Sequence, residues 1–141
     1  MDTEKVVFID ANIFLEVILD DEKSTSCETF LKKVLNQEIL AKTSDFIIYT
    51  CLLQIQQKLK SRELMNRFIL FINELKGLEI IRPSLKEMYN AAKISEKHNL
   101  DFDDSLVISR IIANDIKTLI SFDKHFDKIK SIDRKEPNLF N

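Results

Sequence analysis

Glycine is almost missing from this chain: Gly77 is alone in 141 residues, and proline occurs twice. A phosphate-cradling loop needs several glycines so that backbone N–H groups can close on the anion. Neither a dinucleotide fingerprint nor a P-loop is therefore available. The same scarcity argues for tightly connected helices rather than long irregular insertions. Cysteine is nearly as rare. Cys27 and Cys51 lie in helical apolar stretches with no His or Cys at ligand spacing, so they read as core thiols rather than disulfide or zinc partners. No run is long and apolar enough to span a bilayer, and Met1-Asp2-Thr3-Glu4-Lys5 is too short and too acidic for a signal-peptide n-region. A soluble, cytoplasmic protein without membrane attachment is expected. Excess positive charge is also lacking: the formal net charge is −2, so a polyanionic partner must be held by a local basic face or through a metal ion.

What is present fits one globular domain, residues 1–133, with 134–141 as a loose carboxyl-terminal tail. At 45% hydrophobic and 31% charged, the chain can bury a sizeable core. Val6-Val7-Phe8-Ile9 is an apolar run without alternation, the pattern of a strand covered on both faces in a parallel sheet. It stops at Asp10. An acid there has two readings: a cap for the helix that Ile13, Phe14, Val17 and Ile18 announce, or a ligand-facing group at the carboxyl end of a strand.

Further along, Phe30, Leu31, Val34 and Leu35 mark a second helix, with Thr25 and Glu28 at capping-box separation. Ile39-Leu40-Ala41 predicts the second strand, and Ser44-Asp45 starts a long helix through Ile48, Ile55 and Leu59. Leu64, Phe68, Phe71, Ile72 and Leu75 give a fourth helix, after which Gly77 stands where a left-handed residue is wanted. Leu78-Glu79-Ile80-Ile81 predicts a third strand stopped by Pro83, and Ser84 with Glu87 forms another capping box. A helix from Leu106 to Ile112 and a strand Thr118–Ser121 follow, then a short turn around His125 and Phe126 and a weak strand near Ile132. Strands separated by helices need crossover links, so the sheet is parallel, with four or five strands in a three-layer α/β/α domain.

This topology gathers acids at one sheet edge. Asp10 ends the first strand, Asp123 follows the fourth, and Asp101-Phe102-Asp103-Asp104 opens the helix feeding that strand. Clustered carboxylates repel and are costly to desolvate, so a divalent cation stabilises them. An all-oxygen set suits Mg²⁺ or Mn²⁺, and His125 alone is too little to indicate zinc. Ions so held activate water and stabilise charge on an attacked phosphodiester. Capping explains Asp101 and Asp103 well, and Asp104 less well, since the capping position is already filled. Asp123 also suits a turn start.

The order of strand-Asp10-Ala11-Asn12, then Asp104-Ser105-Leu106 opening a helix, then Leu119-Ile120-Ser121-Phe122-Asp123-Lys124-His125-Phe126 resembles the PIN domain of metal-dependent ribonucleases, including the toxins of VapBC-type toxin–antitoxin pairs. The resemblance runs from about Lys5 to about Ile132. It implies a Rossmann-like, PIN-like fold, an acidic pocket for Mg²⁺ or Mn²⁺, RNA cleavage, an antitoxin partner and homodimerisation. By position it assigns Asp10, Asp104 and Asp123 as metal-site and catalytic carboxylates, with Asn12 supporting the first and Ser121 as the small hydroxyl residue near the pocket. Asp101 is an accessory acid. The family's usual glutamate on the third helix falls at Thr50, leaving the quartet incomplete unless Asp45 or Asp101 supplies an oxygen.

The alternative is a catalytically weak PIN-like module that binds RNA or protein. Other aspartate enzymes fit less well: a haloacid-dehalogenase-type phosphatase wants an acid where Asn12 stands, and a receiver domain wants one after the third strand, where Arg82-Pro83 has none. The phenylalanine stripe of Phe68 and Phe71 reads as core or a dimer seam, Lys58, Lys60 and Arg62 as a solvated helix end rather than an RNA groove, though one able to touch phosphates, and His98 and His125 as surface or packing residues.

Overall fold

A computed structural model of the chain describes residues 6–140. The amino-terminal stretch weighed against a signal peptide lies outside them. Five strands, β1 (Val6–Ile9), β2 (Leu40–Ser44), β3 (Leu78–Ile81), β4 (Thr118–Ile120) and β5 (Asp133–Lys135), form one sheet in the order β3-β2-β1-β4-β5. Every pairing is parallel. Six helices connect them: α1 (Ala11–Ile18), α2 (Ser24–Leu35), α3 (Asp45–Leu59), α4 (Arg62–Glu74), α5 (Leu85–His98) and α6 (Phe102–Ala113). This is the expected three-layer α/β/α sandwich.

The apolar run of β1 is buried because helices cover both faces of a central parallel strand. Phe8, Phe14, Phe30, Phe68 and Phe126 are fully buried, and each such ring contributes roughly 1.5–3 kcal/mol by leaving water. Phe14 meets Phe68 edge-on at 6.3 Å, which fastens α1 to α4. The stripe through Phe68 is thus core. Cys27 and Cys51 are free and buried, as expected.

Several local expectations change. Strand β2 runs on to Ser44 although Lys42, Thr43 and Ser44 are polar: Thr43 Oγ1 donates to the Ile9 carbonyl at 2.8 Å, and Lys42 lies 3.6 Å from Glu79 on β3. Thr25 and Glu28 form no capping box, since α2 begins at Ser24 and places Thr25 inside the helix. Lys23, at the cap, instead donates its N–H to Glu16 at 2.9 Å. The Ser84–Glu87 box is present.

Gly77 is not left-handed. Its requirement is close approach: a Cβ there would stand 2.5 Å from the Val34 carbonyl oxygen and 2.7 Å from that of Ile39. Its own N–H and C=O bond Val34 and Ala41, so the backbone has no freedom to retreat.

The segment expected to be a loose tail is built into the domain. Arg134 and Lys135 belong to β5, and the last strand falls after Ile132 rather than on it. The Arg134 guanidinium holds Asp127 at 2.8 Å, Glu136 at 3.1 Å and the Ser121 carbonyl at 2.9 Å. A short 3-10 turn, Pro137–Phe140, then sets Phe140 against Phe30 at 5.5 Å. An edge strand made of Asp-Arg-Lys is held by its charges and not by an apolar pattern, which hides it from periodicity.

Candidate metal centre

The strand order reverses at β1, which has β2 on one side and β4 on the other. Sheets of this type bind ligands outside the carboxyl ends of the strands at that switch point. A cleft of about 370 Å³ opens there. Asp10 and Asn12 line it from the β1–α1 junction, Asp103 and Asp104 from the start of α6, and Asp123 from beyond β4. Thr50, Gln54 and Lys58 form its α3 wall, and Glu16 and Asp21 add two more acids. A larger groove of about 500 Å³ at the α3–α4 corner shares none of these residues.

Asp10 caps a helix and also lines the cleft. One carboxylate oxygen accepts the Ala11 N–H at 2.8 Å and caps α1. The other accepts the Ser121 hydroxyl at 2.6 Å and the Asn12 side-chain amide at 3.4 Å. Asn12 also donates to Ser121 Oγ at 3.2 Å and accepts the Phe122 N–H at 3.3 Å, while Ser121 Oγ accepts the Asp123 N–H at 3.0 Å. Asn12 and Ser121 therefore lock the ends of β1 and β4 together. Burial pushes the Asp10 carboxyl above its usual range; the Ser121 and Ala11 bonds oppose this, and the Asp123 and Asp103 charges add to it.

Asp104 is raised to about 6, first by burial and then by the charges of Asp103, Asp123, Asp10 and Asp101. A carboxylate so disfavoured has gained no cationic partner from the protein. Ligand atoms of Asp104, Asp123 and His125 lie within 4.8 Å of one another, as do those of Asp101, Asp103 and Asp104. Among the described residues Asp10 belongs to neither triplet, but it shares their cleft and their field. The N-terminus of α6 also points positive peptide dipole at Asp103 and Asp104.

Asp45 stands apart. It accepts from Ser44 and lies 3.8 Å from Arg82, and it does not line the cleft, so it supplies no replacement oxygen. Asp101 makes no side-chain capping bond; it offers a ligand atom close to those of Asp103 and Asp104 but does not line the cleft. Thr50 does line the cleft, but its hydroxyl donates to the Phe46 carbonyl at 2.9 Å, one turn back in its own helix. Asp103, expected to cap, bonds the Asp104 N–H at 3.0 Å and faces the cleft as well.

Three features escape a reading by sequence. His125, expected at the surface or in packing, is exposed as one of those readings has it, but its Nδ1 also lies 2.8 Å from Asp123 Oδ1 because the 3-10 turn after β4 folds it back. Lys58, expected as a solvated helix end, shares a helix face with Thr50 and Gln54 at intervals of four residues, and only that spacing hinted at its place. Glu16 stands on α1 six residues beyond Asp10. It carries no motif.

Fold and cleft together define a doubly wound α/β domain with a carboxylate cluster at its switch point. The chain belongs to the PIN domain family, whose model matches residues 7–132. No curated protein matches it by sequence. Among solved structures, VapC20 of Mycobacterium tuberculosis, a sarcin-ricin loop cleaving toxin, superposes with a TM-score of 0.74 at 12% identity, covering 88% of this chain and 95% of that one. A toxin–antitoxin complex from Klebsiella pneumoniae gives 0.68 at 13% identity, over 93% and 97% of the two chains. VapBC2 from Rickettsia felis, bound to a DNA fragment of its promoter, gives 0.66 at 19% identity, over 93% and 98%. The fold is that of VapC toxins. Among the described residues, no helix is long and apolar enough to cross a membrane.

Proposed function

We propose that the protein is a metal-dependent ribonuclease that hydrolyses RNA phosphodiester bonds, acting as the toxin of a toxin–antitoxin pair. The observation that carries this reading is the convergence of Asp10, Asp104 and Asp123 on one cleft at the switch point of a PIN fold. The donors fit a hard divalent cation: they are oxygens, they crowd until Asp104 resists ionisation, and among the described residues no lysine or arginine pairs with them. Asp10, Asp104 and Asp123 would hold Mg²⁺ or Mn²⁺, with Asp103 and Asp101 as neighbouring acids.

When bound, such an ion lowers the pKa of its water and stabilises charge on the phosphodiester. The chain's own part is orientation. Ser121 and Asn12 fix the Asp10 carboxylate, and the helix start at Asp103–Asp104 presents a second acid across the cleft. The toxin assignment and an antitoxin partner draw support from the toxin–antitoxin complexes that share the fold; a homodimeric state and a cytoplasmic setting complete the proposal.

Incubation of RNA with Mn²⁺ and the purified protein tests this. Wild type should cleave and Asp10→Asn should not, with identical circular dichroism; equal activity in the two would reject the assignment.

A second reading, a PIN-like module that binds RNA or protein with little turnover, is favoured by Thr50, whose hydroxyl is occupied within α3 where the family's usual pattern offers a carboxylate. EDTA-sensitive turnover that co-purifies with the wild type through successive columns would remove it.

A further inference from the structure

We infer that Lys58 is a substrate-binding residue that holds a phosphate of the RNA strand next to the one being cleaved, an inference that rests on the ribonuclease reading above. The cleft poses an electrostatic problem for a polyanion, because Asp10, Glu16, Asp21, Asp103, Asp104 and Asp123 all line it. A cation at the carboxylate cluster answers for one phosphate. The next phosphate along the strand still faces a negative wall.

Among the described residues Lys58 is the one basic side chain lining that cleft. It forms no ion pair among them, although acids surround the cleft. It lies on the same face of α3 as Thr50 and Gln54, two turns beyond Thr50, or roughly 12 Å along the helix axis. Helical side chains lean toward the N-terminus, so its stem carries the ammonium back toward the carboxylates rather than off the helix end. The α3 wall thus runs from hydroxyl through amide to ammonium, an uncharged-to-positive face opposite an acidic one. This suits a strand whose phosphates lie on α3 while one of them enters the acidic corner. A lysine serving only the α3 dipole would need no such placement.

The test uses the full chain, Mn²⁺ and an end-labelled single-stranded RNA oligonucleotide of mixed sequence. Steady-state cleavage is measured over a potassium chloride series for wild type, Lys58→Ala, Lys58→Glu and Lys58→Arg. Lys58→Ala should raise KM roughly fivefold, the scale of one exposed charge contact. Its kcat should stay within about twofold, and the slope of log kcat/KM against log salt should become shallower by about 0.7, one phosphate on a single strand. Lys58→Glu should weaken binding further, Lys58→Arg should behave as wild type, and Mn²⁺ affinity by calorimetry should be equal in all four. Wild-type KM and slope in Lys58→Ala, with RNA still cleaved, would overturn the inference and leave the ribonuclease reading standing. A loss that Lys58→Arg fails to restore would assign Lys58 to packing and overturn it too. A wild type that neither binds nor cleaves RNA in Mn²⁺ would overturn both.

Discussion

Ser121 donates a 2.6 Å hydrogen bond to Asp10, a residue 111 positions earlier in the chain. The same oxygen accepts the Asp123 N–H at 3.0 Å, so a single hydroxyl ties two of the proposed metal-site aspartates together. Ser121→Ala removes both bonds and leaves the Asp10 carboxylate less well held. Loss of a group that orients a metal ligand typically costs 10- to 100-fold in affinity. Titration calorimetry with Mn²⁺ should show a loss in that range, and an unchanged affinity would sink the role given to Ser121.

Asp104 makes the stability of the metal-free protein depend on pH. Its folded carboxyl titrates at about 6 against an ordinary 3.8, so the folded state holds the proton more tightly than the unfolded one. The resulting penalty is absent at low pH, grows as pH rises from about 3.8, and is complete above about 6. Asp104→Asn removes it. In EDTA at pH 7 the variant should melt roughly 2–5 °C above wild type, and the curves should converge by pH 4. Mn²⁺ should stabilise the wild type more than the variant. A variant less stable at pH 7 would contradict the crowding of charges in the cleft.

Gly77→Ala should cost roughly 2–3 kcal/mol, because the new methyl group meets two backbone carbonyl oxygens that cannot rotate away. Urea unfolding measures this. A change below about 0.5 kcal/mol would mean that the α2–β2 and α4–β3 connections yield easily.

Neither thiol should react with Ellman's reagent at pH 8 in the folded protein. Burial, aided by Glu16 at Cys27 and by Asp10 at Cys51, pushes both up to about 12. Cys51 further donates to the Ala11 carbonyl at 3.7 Å. Both should titrate fully in guanidinium chloride, and rapid native reaction would show that the core opens.

The parallel sheet was legible because Val6–Ile9 is a contiguous apolar run ended by Asp10 and Leu78–Ile81 a short, mostly apolar one stopped by Pro83. The gathering of Asp10, Asp104 and Asp123 at one cleft was legible because each stands at or just beyond a strand end or at a helix start. Strand β5 was placed only approximately, near Ile132, since Arg134 is held by ion pairs that no local pattern announces. Gly77 was placed correctly and explained wrongly: the constraint is the approach of Val34 and Ile39, contacts that exist only after packing. Lys58 and His125 escaped for the same reason, as a side chain's neighbours across a cleft depend on crossings that sequence spacing does not encode.

The bond from Arg134 to the Ser121 carbonyl reaches the pocket from behind, through the last strand of the sheet. A nascent chain emerging from the ribosome therefore carries Asp10 long before Ser121, the residue that holds its carboxylate. The proposed cation site would thus be a late product of maturation, complete only once Ser121 at the end of β4 has reached Asp10.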